Sequence, residues 1–314
     1  MMFACGGGGG GGSGETTQAE GSNYQFVANR ILLPTGSGTA TYSFDLNGDG
    51  NPENKLGSII GALAAGLSLD VQGPVDAAVN AGQAVLLFNV QSTDASLASA
   101  NNVGTTVYLG NQAANPPRFD GTDTFTVDPA VSGGVFLGKI AGSRFTSNNP
   151  ATTKLAPVTV DLNLPIASAG TTLQVRLNGA HVQWRSNGAT GLVEGQVNGS
   201  LKVSDLQTTV LPGVAALLNS LVQPAGCPPP SGSTAKSILD VLDKGGCTGA
   251  AANDCRIDVC ELATNPLLQT VLTPDIQVYA SNGTTYQPCK TGCTNDSISV
   301  GVGFTAVKAT FTRP

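Results

Sequence analysis

An α+β fold, with a mainly antiparallel sheet (sandwich-like or curved) and several short helices packed on it, is predicted by three features of this sequence. Short β-type runs divided by Gly, Asn, Pro and Asp follow one another through the middle of the chain. A few apolar stretches repeat at helical rather than strand spacing. Charged residues make up only 11% of the 314, while glycines number 41. Such a chain must build its polar surface from Ser, Thr, Asn and Gln, which suits an extracellular β-rich protein better than a helical cytosolic enzyme.

Taken in order, residues 1–22 are Gly-rich and polar and read as a flexible tether, and residues 23–314 as one α+β domain. "YQFVANRILL" and "TATYSFDL" alternate loosely and give the first strands. An apolar helix follows over 54–68, where Leu56, Ile59, Ile60, Leu63 and Leu67 fall at helical spacing. "VQGPVDAAVNAG" makes a second short helix that stops at Gly82. Then come the runs "QAVLLFNVQ", "TTVYLG", "DTFTVD", "GVFLGKIAG" and "PVTVDLNLPI". "TTLQVRLNGAHVQW" and "GLVEGQVNGSLKV" alternate strictly around the Asn-Gly signal in "RSNGATG", predicting a long antiparallel hairpin with one wet face. Pro212 opens a helix carrying Val214, Leu217, Leu218 and Leu221. "AKSILDVLDKGG" and "NPLLQTVL" make two more helices, and "SISVGVGFTAVKATF" is a closing strand.

The formal net charge of −6, with Lys and Arg scattered, leaves no electrostatic footprint for nucleic acid. The longest apolar run, "LGSIIGALAAGLSL", is too short for a membrane helix. Seven cysteines are present, six of them between residues 227 and 293: Cys227, Cys247, Cys255, Cys260, Cys289 and Cys293. Their spacing does not suit zinc, and the single histidine, His181, is distant in sequence. Disulfides in an oxidising compartment, in a pairing the sequence leaves open, are the expectation.

One stretch concentrates the chemistry. "FDLNGDGNPENKLG" (44–57) places Asp45, Asn47, Asp49, Asn51 and Glu53 at alternate positions, with Gly50 at the sixth place of the loop. Hard divalent cations take oxygen ligands from such alternations, and the glycine permits the sharp turn. The pattern D-x-N-x-D-G resembles the calcium loops of EF-hands, dockerins and thrombospondin type 3 repeats. The resemblance implies Ca2+ held by Asp45, Asn47, Asp49 and Glu53, with the Asn51 carbonyl. It departs at the twelfth position, where Leu56 replaces the bidentate Glu, so Glu53 or Asn54 would have to complete the shell. The competing expectation is an Asx-rich turn ahead of the helix. A weaker echo lies in "AAANDCRIDVCEL" (250–262), where Asp254, Asp258 and Glu261 fall at the fifth, ninth and twelfth places. A disulfide-held loop with no ion is the favoured reading there.

The seventh cysteine, Cys5, stands in "MMFACGGGGGGGSG". A small residue, Cys and a Gly/Ser tract resemble the end of a bacterial lipoprotein signal, which implies lipidation at Cys5, and Gly6 implies outer-membrane sorting. The tether would then reach roughly 20–25 Å from the bilayer. "DLNGDGNPENKLG", the cysteine-flanked acidic loop and "DSISVGVGFTAVKATF" together resemble uncharacterised secreted lipoproteins of Gram-negative bacteria, which implies secretion across the inner membrane and a place at the outer membrane or cell surface.

Catalysis is not expected. There is no G-x-S-x-G elbow, P-loop or dinucleotide fingerprint in a βαβ setting. His181 in "GAHVQW" sits opposite Val182 and Trp184 and is expected on the wet face of the hairpin. The function expected is a calcium-binding, lipid-anchored surface protein of structural or adhesive role, with a surface protein or polysaccharide as partner. The alternative is a carrier of an apolar, lipid-like ligand.

Overall fold

The computed structural model describes residues 18–34, 41–67, 70–129, 133–153, 155–165, 172–247, 249 and 251–313. Cys5 and most of the expected tether lie outside the described residues. In chain order the strands are β1 (Ser22–Leu32), β2 (Leu86–Ser92), β3 (Ala100–Leu109), β4 (Thr124–Thr126), β5 (Gly134–Ala141), β6 (Arg144–Ser147), β7 (Val160–Pro165), β8 (Thr172–Ser186), β9 (Gly191–Lys202), β10 (Ser297–Lys308) and β11 (Thr310–Thr312).

The sheet closes on itself. Its order is β6-β5-β3-β2-β1-β10-β9-β8, and β8 pairs back onto β6, making an eight-stranded antiparallel barrel. This corrects the expectation of a sandwich, while the curved-sheet alternative is carried to full closure. The reason lies in β8, whose 15 residues serve two neighbours. Its C-terminal part pairs Gln183–Arg185 with Arg144–Thr146 of β6, while its N-terminal part pairs with β7. Register shifts in the β1–β10, β9–β10 and β8–β9 ladders add the curl that closure needs. β4 and β11 form a separate parallel pair.

Eight strands enclose an interior that side chains fill. Phe88 stacks on Phe304 with centroids 4.2 Å apart, and Phe145 on Trp184 at 5.1 Å. The Trp184 indole N–H donates to Thr105 Oγ1 at 3.1 Å, which satisfies the one polar atom this large ring brings inside.

The helices are α1 (Lys55–Leu67), α2 (Gln72–Asn80), α3 (Val203–Asp205), α4 (Leu211–Val222), α5 (Thr234–Leu242), α6 (Val259–Thr264) and α7 (Pro266–Val271). The predicted helices are all present, although the run through α3 begins well before Pro212, which lies in the first turn of α4. Leu218, Ile238, Leu242 and Leu262 join the barrel residues in one apolar cluster, so the helical layer continues the core. Disulfides Cys227–Cys255 and Cys247–Cys260 staple the segment between α4 and α6, and Cys289–Cys293 closes a small loop before β10. Among the described residues, no helix is long and apolar enough to cross a membrane.

One stretch of the outer wall is covered from a distance. The segment Tyr42–Phe44 lies across β8, β9 and β10. A Cβ at Gly301 would stand 1.9 Å from the Tyr42 carbonyl oxygen, and one at Gly303 would stand 2.3 Å from the Tyr42 ring. The glycines of "SVGVGF" are therefore the places where another backbone approaches the strand. This cover also corrects the expectation for His181. The ring does point away from Val182 and Trp184, yet it is fully buried, because Phe44 stacks on it at 3.8 Å.

Candidate metal centre

The cover segment runs directly into the acidic loop. Phe44 and Glu53 bridge the two ends of the loop as a short antiparallel pair. Leu46 between them is buried in a satellite cluster with Ile276, Val278 and Tyr279. Gly48 and Gly50 adopt φ of +81° and +94°, conformations open to glycine at no steric cost. Asn149 Nδ2 donates to the Asp45 carbonyl at 3.0 Å and ties the loop to the segment after β6.

Inside this frame the side chains fold inward. Asp45 Oδ1 accepts from Gly48 N at 2.7 Å and Oδ2 from Gly50 N at 3.0 Å. Asp49 Oδ1 accepts from Asn51 N at 2.7 Å. Glu53 Oε2 accepts from Leu46 N at 3.0 Å. One carboxylate oxygen from each of Asp45, Asp49 and Glu53 lies within 4.8 Å of the others. Oxygens bound 2.3–2.6 Å from one Ca2+ stand at most about 5 Å apart, so the triad has the right span.

Two observations bear on whether the group fits a cation. Glu53 Oε1 is buried and finds no hydrogen-bond partner. The Glu53 carboxyl is pushed up to about 7, chiefly by burial and further by Asp49, Asp45 and Asp275, against the pull of the Leu46 N–H. A divalent ion would supply the bare oxygen with a partner and neutralise the crowding. Hard oxygen donors without a thiolate or imidazole suit Ca2+, Mg2+ or Mn2+ rather than softer metals such as zinc or copper.

The other residues of the loop pattern carry hydrogen bonds of their own. Asn47 Oδ1 is turned onto Asp49 N at 2.9 Å, and Asn51 is exposed and contributes its N–H to Asp49. Asn54, which the sequence left as a possible closing ligand, is fully buried and engaged elsewhere. Its Nδ2 donates to the carbonyls of Thr41, Tyr42 and Gly301, and its Oδ1 accepts from Gly301 N. Asn54 thus anchors both flanks of the loop to β10, and of the two residues only Glu53 points into the centre. Asp275 escaped sequence reasoning. It lies over 200 residues away and holds the N–H and hydroxyl of Ser299, and only the fold brings it near Glu53.

Around the second acidic stretch the three residues do not form such a group. Asp254 is exposed and caps Arg256 N. Asp258 and Glu261 make a reciprocal capping box at the start of α6. Glu261 is buried, and both its oxygens are bonded, Oε1 by Gly245 N and Oε2 by Asp258 N. Among the described residues, Asp45, Asp49 and Glu53 are the one acidic cluster of metal-binding dimensions. Comparisons with protein-family models, curated proteins and solved structures find no match to this chain.

Proposed function

We propose that the protein is a calcium-stabilised secreted surface protein of structural or adhesive role. The single observation that carries this is Glu53, whose carboxylate lies within 4.8 Å of those of Asp45 and Asp49 and keeps one buried oxygen, Oε1, without a hydrogen-bond partner. Three disulfides support an oxidising setting. Lipidation at Cys5, an outer-membrane address and a protein or polysaccharide partner remain part of the proposal on the sequence resemblance.

Calcium in this loop would act through the frame. Binding would clamp Asp45 and Asp49 to Glu53, and the Phe44–Glu53 bridge would pass that constraint to the cover on β8–β10 and to the start of α1. The affinity belongs to the weak extracellular class, on the order of 10⁻⁴–10⁻³ M, since no bidentate Glu stands at the twelfth position. The test is thermal unfolding with millimolar CaCl2 and with EDTA. The melting temperature rises with calcium in the wild type and is unmoved in Asp45→Ala/Asp49→Ala. A wild type indifferent to both additions removes the calcium reading. The carrier alternative is disfavoured by the stacked aromatic pairs that occupy the barrel.

A further inference from the structure

The sole histidine occupies a built polar site that the calcium reading does not use. His181 and Asn198 face each other across the β8–β9 ladder as direct register partners. They share the outer face with the next pair, Gln183 and Gln196, whose amides meet at 3.0 Å. Both His181 and Asn198 are fully buried beneath Tyr42–Phe44. Each carries one buried polar atom with no protein partner, Nε2 of His181 and Oδ1 of Asn198.

The chemistry of the two orphans is complementary. Ser147 Oγ accepts from Val182 N at 3.1 Å and lies 3.0 Å from His181 Nδ1. Oγ keeps a second lone pair, but its own proton needs an acceptor, and Nδ1 stands in reach; we assign the serine as donor to Nδ1. The proton of the neutral imidazole then stands on Nε2, an N–H donor. Asn198 commits its Nδ2 to the Tyr42 carbonyl, which leaves Oδ1 as an acceptor. A donor and an acceptor, sealed from bulk solvent and both unmet, would be strongly unfavourable. Native structures meet such pairs with a bridging water, which needs two or more polar partners in one enclosed place.

We propose that His181 and Asn198 form a binding site for one water-sized neutral molecule that accepts from Nε2–H and donates to Oδ1, held under Phe44 and Tyr42. An ion is a poor occupant, because among the described residues no carboxylate or cationic side chain bonds to this pair. Ser147, Val182, Gln183, Gln196, Tyr42 and Phe44 surround it, and Tyr42 is the only titratable one. The occupant makes the seat of the cover segment polar, so the segment that leads into Asp45 is registered by hydrogen bonds as well as by ring stacking.

Being the only histidine, His181 gives a single assignable ring signal. In 15N-histidine NMR of the full chain, the Nε2–H tautomer is expected, with cross-relaxation to a water of residence time beyond nanoseconds. A crystal structure should then show an ordered water within hydrogen-bond distance of both atoms, and none in His181→Phe. A direct Nε2–H to Oδ1 bond with no intervening density overturns the proposal, as does an Nδ1–H tautomer without water contact. Persistence of the water in His181→Phe also overturns it. None of these outcomes depends on calcium.

Discussion

Two acidic loops, each leading into a helix, end in opposite chemical states. In the early loop Glu53 reaches back to Leu46 N, and in the late one Glu261 reaches back to Asp258 N. The second oxygens differ. Glu261 Oε1 finds Gly245 N, whereas Glu53 Oε1 is buried with nothing to accept. The late loop is also drawn in by buried Asp243, which accepts from Asn253 N and Cys255 N, and by two disulfides. A carboxylate saturated by N–H donors is a structural brace. One left short of a donor, with two more carboxylates converging on it, is open to a cation. The number of donors within reach, rather than the number of acidic residues in the stretch, separates the two.

The largest expected effects break the brace. Glu261→Ala strands the N–H groups of Gly245 and Asp258, and should lower stability in urea denaturation by roughly 3–4 kcal/mol, with no recovery on adding calcium. Replacing both Cys247 and Cys260 by Ser removes a staple of sequence separation 13. It should cost about 3 kcal/mol on the loop-entropy account and leave calcium binding unchanged.

Effects at the early loop are smaller. For a site in the weak class, saturating calcium should stabilise the wild type by about 1.4–2.7 kcal/mol. Asp45→Ala/Asp49→Ala should abolish that gain, read as the chelator-sensitive part of the melting temperature. In EDTA, Glu53 makes stability depend on pH. Its carboxyl, at about 7 in the folded chain against 4.5 when exposed, binds a proton more tightly when folded. Stability from this group is therefore greatest below pH 4.5 and is lost as pH rises towards 7. Glu53→Gln should flatten that slope and remove the calcium response.

His181 slopes the other way. Burial pushes its ring down to about 3 from 6.5, so the unfolded chain binds the proton more tightly. Its contribution is intact above pH 6.5 and is lost as pH falls towards 3. His181→Phe should make acid unfolding shallower, and comparison with Glu53→Gln separates the two opposing slopes.

Much of this protein was legible along the chain. Alternation and turn residues located the β8–β9 hairpin and the closing β10, and apolar residues at helical spacing located α1 and α4, because each signal is contained in a dozen neighbouring residues. D-x-N-x-D-G located the acidic loop for the same reason, since its turn and its donors are local. The six clustered cysteines announced disulfides but not their partners.

The tertiary structure decided what depended on contacts distant in sequence. Barrel closure rests on β8 meeting β6 across a gap that no local period records. The burial of His181 required Phe44, which lies 137 residues earlier, as the register of the single hairpin could set the direction of the ring but not what covers it. The roles of Glu53 and Asn54 were likewise settled by β10. Gly301 took the amide of Asn54 and left the carboxylate of Glu53 facing Asp45 and Asp49. Side chains one position apart thereby acquired different chemistry, because a strand more than 240 residues away offered its backbone to only one of them.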